Sequence, residues 1–287
     1  MLLKDKKAII TGGSRGIGRM VAGEFLKQGA QVCLLARNEH ELARAQKELS
    51  RDYPDKVFYA RADVSEYDEM DRAYAAIKSQ MGSVDILVNG AGILGALGSF
   101  ADMDIHTWES AIRVNFFGTA YAMRTVLPDM IQKGRGKIIN FSGGGATAPR
   151  PFFSSYGTAK TAVVRLTETV GEELRQKRLA ISVNAIAPGV VNTRLLDEVI
   201  ARGPEEVGEQ EYESAIQKKK EGGDGPGRAA GLAVFLASSL SDGLTGRLIS
   251  AIWDQWQDIP HHLKEIMDSD IYTLRRIKTI DRGYEWK

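Results

Sequence analysis

Six short apolar runs alternate with stretches of helical spacing from the first residues onward, and a seventh closes the series. Residues 8–11, 32–36, 57–60, 86–88, 137–141 and 181–186 read as buried strands, and 247–250 as the last. Between them, apolar residues recur three and four positions apart. Ala159, Ala162, Val163, Leu166, Val170 and Leu174 form one such stripe. Strands that are apolar throughout are covered on both faces. The alternation therefore predicts a parallel sheet with helices on each side and right-handed crossovers.

A chain of 287 residues fits one large α/β domain with an appendage. Its 43% hydrophobic content fills a substantial core, and its 26% charged content matches an ordinary surface. The 38 basic residues nearly balance the 37 acidic ones. That balance speaks against a nucleic-acid partner, which calls for a basic excess or stripe. No run of about 18 apolar residues predicts a membrane span, and the first residues lack the apolar stretch of a signal peptide. Cys33 stands alone inside an apolar run and reads as a buried small hydrophobe. A cytoplasmic location is the expectation.

The first strand runs into Thr11-Gly12-Gly13-Ser14-Arg15-Gly16-Ile17-Gly18 and then a helix. Glycines at such a turn let the backbone approach a pyrophosphate, whose charge sits at the helix N-terminus. Arg37 ends the second strand where no carboxylate stands. With Arg15 it offers two guanidinium groups, which suit a 2′-phosphate through charged, forked hydrogen bonds. The plain alternative is two solvated surface arginines. Further on, Tyr156-Gly157-Thr158-Ala159-Lys160 places a phenol and an amine four residues apart, on one helix face.

The spacing T-G-x-x-x-G-x-G together with Y-x-x-x-K resembles the short-chain dehydrogenase/reductase family, and the resemblance covers about residues 5–250. It implies a single doubly wound Rossmann domain over 1–250 with a parallel seven-stranded sheet. Two regions break the strand–helix rhythm: residues 190–228 read as a small substrate lobe and 251–287 as a C-terminal aromatic extension. NADP(H) is the implied cofactor, held by Gly12, Ser14, Arg15, Gly16, Ile17, Gly18 and Arg37. Asp63 would bond the adenine amino group, with Val64 beside it, although an Asp at a strand end caps a helix equally well. Val88-Asn89-Gly90-Ala91-Gly92 resembles the family's N-N-A-G. Asn89 is there mostly structural, while Ala91 and Gly92 leave room for the cofactor. Pro188-Gly189-Val190-Val191-Asn192-Thr193 matches P-G-x-x-x-T, with Pro188 and Val191 along the cofactor and the Thr193 hydroxyl on the nicotinamide carboxamide.

The same resemblance makes Tyr156 the proton donor or acceptor, Lys160 its electrostatic helper and ribose ligand, and Asn115 the residue that bends a helix. A nearby ammonium is expected to lower the phenol's pKa. One position departs from the pattern. The usual serine, about 13 residues before the tyrosine, falls on Gly143, and the neighbouring hydroxyl is Ser142. Ser142 replaces it, or backbone N–H groups of the glycines serve, or Thr147 or Ser155 reaches in, or Ser142 is merely structural.

The implied partners are a small carbonyl or alcohol substrate and a second copy or more, as a homodimer or homotetramer joined through the helices bearing Asn115 and Tyr156. An epimerase that recycles NADP and a non-catalytic NADP-binding sensor are the alternatives. Residues 222–227, Gly-Gly-Asp-Gly-Pro-Gly, read as a flexible hinge or loop, and Lys218-Lys219-Lys220 as a solvated helix end. His261-His262 lacks the companions of a metal site. In the tail, Trp253, Trp256, Tyr272, Tyr284 and Trp286 are too aromatic for disorder. Trp253 and Trp256 are expected against the core, or the tail roofs the pocket or meets a neighbouring subunit.

Overall fold

A computed structural model describes residues 1–285, so Trp286 lies outside the described residues. Seven strands make one parallel sheet: β1 (Lys7–Thr11), β2 (Gln31–Ala36), β3 (Val57–Arg61), β4 (Ile86–Asn89), β5 (Arg135–Phe141), β6 (Ala180–Ala187) and β7 (Leu248–Ser250). Their order is β3-β2-β1-β4-β5-β6-β7. The chain leaves β1 in one direction and later restarts at β4 on its other side. This reversal opens a crevice at the carboxyl ends of β1 and β4, the usual place for a ligand in such sheets. All seven strands occur where the apolar runs predict them.

The helices between them are α1 (Gly16–Lys27), α2 (Glu39–Ser50), α3 (Tyr67–Met81), α4 (Ile105–Ile112), α5 (Gly118–Lys133), α6 (Ser154–Gln176) and α10 (Pro226–Ala237). Alternate strand residues feed two cores. Ala8, Ile10, Val32 and Leu34 face α1, α2 and α10, whose Val21, Phe25, Leu42 and Leu232 are fully buried. Ile9, Cys33, Leu35 and Leu87 face α3, α5 and α6, meeting Ile77, Val126, Met130 and Leu174. A buried side chain such as Phe25 stabilises the fold by roughly 1.5–3 kcal/mol. Cys33 lies in this core, and burial pushes its thiol up to about 12.

A buried polar chain fixes α6 against the sheet. Asn89 donates Nδ2–H to Asn140 Oδ1 at 2.8 Å, and Asn140 donates to the Thr167 hydroxyl at 2.8 Å. Thr167 in turn donates to the carbonyl of Val163. Asn89 thus ties β4 through β5 to the helix that carries Tyr156.

Between β6 and β7 stand α7 (Arg194–Arg202), α8 (Pro204–Val207) and α9 (Glu209–Glu221). Leu196, Val199, Val207 and Ala215 pack with Leu94 and Phe153 into a third, smaller apolar cluster. The glycine-rich stretch after α9 is a pinned connector, not a loose hinge. Gly223 bridges Val191, and Asp224 pairs with Lys218 at 2.5 Å while accepting from the Val190 N–H at 2.7 Å. Lys219 reaches Asp197 at 2.6 Å. Two of the three consecutive lysines therefore tie α9 to its surroundings, because carboxylates from α7 and the connector face them.

The tail carries α11 (Leu263–Met267) and runs back beside α6. The Leu248 N–H donates to the Tyr272 carbonyl, and the Leu274 N–H to Glu168 Oε1. Trp256 packs on Phe235, with ring centroids 5.6 Å apart. Trp253 departs from expectation: it is 85% exposed. It follows β7 at the mouth of the crevice, where no helix covers it. Among the described residues, no helix is long and apolar enough to cross a membrane.

Candidate active site

A cleft of about 1240 Å³ runs along the carboxyl ends of the central strands. The glycine turn, Arg37, the residues after β4, the loop after β5, Tyr156, Lys160 and residues 187–196 with Glu198 and Val199 line it. At one end the turn after β1 makes a cradle that side chains would fill. A β-carbon at Gly12 would stand 2.8 Å from the backbone of Ala91, and one at Gly18 would stand 2.5 Å from the Gly12 carbonyl. Gly12 and Gly16 also hold φ of +68° and +55°, which disfavours any L side chain. Gly16 faces Thr193 across the cleft, 3.6 Å from a β-carbon position to Cγ2. The helix α1 opens here without a side-chain cap, so its first N–H groups are available to an anion. Ile17, Ala91, Gly92, Pro188 and Val191 complete this wall. These residues fit the pyrophosphate and nicotinamide halves of a dinucleotide.

At the carboxyl ends of β2 and β3 the structure adds partners that the sequence reading did not name. Arg15 and Arg37 are present, but each holds a carboxylate. Arg15 Nη1 lies 3.1 Å from Glu41, and Arg37 Nη1 lies 3.5 Å from Asp63. Asp63 also accepts from the Ser65 N–H and hydroxyl, which with Arg37 hold its carboxyl below the ordinary value against the opposing effect of burial. The cleft wall at this point is Ala62 and Val64. Asp63 forms a local turn, and the helix that follows starts after Glu66, with no side-chain cap.

At the other end Tyr156 and Lys160 leave one face of α6. Lys160 is 4% exposed and donates to the Phe141 carbonyl at 2.9 Å. Its Nζ is 5.6 Å from the Tyr156 ring centroid. Burial pushes its ammonium down to about 8. The partly buried Tyr156 phenol is pushed above its ordinary value by burial, and the Arg150 guanidinium pulls it partway back. The expected lowering by the neighbouring amine is not present in the protein alone. Loss of solvent outweighs the charges around the phenol, and the amine is itself desolvated.

Asn115 is fully buried inside a five-residue π-helical turn, Arg113–Phe117, between α4 and α5. It accepts from the Ile93 N–H at 3.2 Å and donates to the carbonyls of Ile93 and Ala111. It ties the π-turn to the loop after β4. Such π-turns need the freed backbone groups to find partners, and this side chain provides them.

The loop after β5 is where the pattern fails. The Ser142 N–H continues the β5–β6 ladder onto the Ile186 carbonyl at 2.8 Å. Its hydroxyl is buried at 2% exposure, with no protein partner. Gly143 avoids the left-handed region, yet a β-carbon there would overlap the Tyr156 hydroxyl. Ser155 is withdrawn as a substitute, because its hydroxyl is buried and points to the carbonyls of Leu94 and Ala96 at 3.3 Å. Thr147 lies exposed on the cleft wall.

Sequence reasoning missed several lining groups. Arg150 forks onto Glu211 of α9, and its guanidinium carbon sits 3.7 Å over the Phe153 ring. This ion pair joins the loop after β5 to the lobe. Glu41, four residues after Arg37, and Asp254 at the mouth were also missed. A carboxylate four residues past Arg37 was the only hint available. Among the described residues, no three His, Cys, Asp or Glu side chains converge as a metal site.

Known proteins resemble this arrangement. The family model for short chain dehydrogenase matches residues 6–202. The 2-(R)-hydroxypropyl-CoM dehydrogenase of Xanthobacter autotrophicus is 34% identical over 213 residues, covering 70% of this chain and 84% of that protein. Among solved structures, levodione reductase superposes with a TM-score of 0.79 at 25% identity, over 90% of this chain and 99% of that one. A variant of actinorhodin polyketide ketoreductase with NADPH gives 0.77 at 26% identity, over 86% and 95%.

Proposed function

The chain belongs to the short-chain dehydrogenase family of alcohol/ketone oxidoreductases, and on that premise we propose that it interconverts a small carbonyl compound and a secondary alcohol with NADP(H), Tyr156 moving the proton. The observation that carries this reading is the shared cleft. Tyr156 and Lys160 line the same crevice as the glycine cradle.

The nicotinamide supplies or accepts the hydride when bound. The chain's own residues do the rest. The elevated phenol of Tyr156 stays protonated at neutral pH and is therefore ready to donate to the developing alkoxide during reduction. In oxidation the phenol must lose that proton first, and the positive charge of Lys160 below about pH 8 favours the loss. Asn115 fixes the loop after β4 against the cofactor wall. The unpartnered Ser142 hydroxyl, with the N–H groups of Gly143 and Gly144, is our choice of donors to the substrate oxygen. Buried hydroxyls without partners are uncommon and call for one. Arg15 and Arg37 select the 2′-phosphate, and Thr193 meets the carboxamide. Residues 190–228, clasped by the Arg150–Glu211 pair, and Trp253 shape the substrate end. The exposed Tyr67 and Phe117, linked through Tyr121 on α5, suit the homodimer or homotetramer contact.

The test is a panel of ketones and secondary alcohols, followed by NADPH absorbance. Net oxidation of NADPH by at least one ketone supports the reading. Substrate conversion without net cofactor turnover would replace it with an epimerase, and binding of NADPH with no turnover on any member with a binding protein.

A further inference from the structure

The anion seat at the adenosine end is already filled by the protein. Glu41 presents both carboxylate oxygens to the glycine turn: Oε1 lies 3.1 Å from Arg15 Nη1, and Oε2 accepts from the Ser14 hydroxyl at 3.3 Å. Its position is not accidental. Asn38 caps α2 by accepting from the Glu41 N–H at 3.0 Å, which fixes the residue in the first helical turn. Arg15 is itself the residue that opens α1. A planar anion thus spans a guanidinium and a hydroxyl inside the cleft, where a phosphate would find the same donors.

We propose that Glu41 is a built-in competitor for the 2′-phosphate, so that NADP(H) binds by displacing its carboxylate from Arg15 and Ser14. The proposal rests on the NADP(H) reading above. A ribose phosphate carries about −1.5 to −2 charge at pH 7 and three acceptor oxygens, against one charge and two oxygens for the carboxylate. The exchange therefore favours the phosphate at Arg15. Glu41, however, is tethered to α2 and stays within a few ångströms, so it repels the incoming charge. NADH or NAD places only a hydroxyl here. That group leaves the Arg15–Glu41 pair intact and can donate to the carboxylate. Glu41 consequently narrows the preference that Arg15 and Arg37 create. It restores, one helical turn later, the acid that is missing at the end of β2.

The test is direct binding of NADPH and of NADH to the full chain by calorimetric titration, so no substrate is needed. Glu41→Gln keeps the size and the backbone cap while removing the charge. It should tighten NADPH by at least about fivefold and leave NADH unchanged or weaker. In an Arg15→Met background the gain on adding Glu41→Gln should shrink, because no ion pair remains to be broken and only the charge repulsion is relieved. An unchanged or weaker NADPH affinity in Glu41→Gln overturns the proposal. An unmodified protein that binds NADH more tightly than NADPH instead overturns the NADP(H) reading itself, whatever Glu41→Gln does to NADPH. Matching thermal melts for each variant and the parent verify that folding is not the variable.

Discussion

The Tyr156 hydroxyl occupies the space that a side chain at Gly143 would fill: a β-carbon there would overlap the hydroxyl and stand 2.9 Å from ring carbons Cε1 and Cζ. The restriction is steric, since Gly143 has no positive φ. Gly143→Ala and Gly143→Ser should both push the phenol out of place. A displacement of about 1 Å can cost on the order of 10²-fold in rate. Steady-state turnover should fall by at least about tenfold while NADPH binding persists. A Gly143→Ser variant as active as the parent would show that Tyr156 does not work from this position.

Tyr156→Phe keeps the ring and removes the proton. Turnover should drop by roughly 10² or more, the scale of acid–base catalysis, with cofactor affinity retained. Near-normal turnover rejects Tyr156 as the acid.

Ser142 gives a split between stability and activity. Its hydroxyl is buried without a partner, so Ser142→Ala removes an unsatisfied group and should leave the melting temperature unchanged or raised. Turnover should fall about tenfold, since backbone donors remain. Loss of stability with full activity would make Ser142 structural.

Lys160 sets a pH limit. Its ammonium is present below about pH 8 and lost above it, so alcohol oxidation should lose the help of that charge as pH climbs through about 8. Stability moves in the opposite direction. Between about 8 and the ordinary lysine value the unfolded chain binds a proton that the folded chain has released, so stability rises with pH there. Below that window the folded state carries a buried charge at a cost. Lys160→Met should therefore melt higher than the parent at neutral pH while losing most activity. A lower melting temperature for this variant would contradict the depressed value.

The polar chain under α6 predicts a different result. Asn140→Ala strands the Asn89 amide and removes the bond to Thr167. A buried polar group left unpaired costs about 1–3 kcal/mol, measurable as a lower denaturant midpoint.

Much of the molecule is written locally. The seven strand runs, the glycine turn and the i,i+4 placement of Tyr156 and Lys160 each depend on spacing within a few residues, so the sequence alone determined them. Asn115 stood out only through the family resemblance, and its π-turn with three bonds to Ile93 and Ala111 was not legible. The tertiary structure decided the rest. Glu41 meets Arg15 across 26 residues and Arg150 meets Glu211 across 61. Ser155 turns from the cleft to carbonyls about 60 residues away, and Trp256 is covered while Trp253 is not. Periodicity tells which face of a helix is apolar. It does not tell which charge on a neighbouring element will stand opposite, because that depends on how packed elements are rotated and offset against one another.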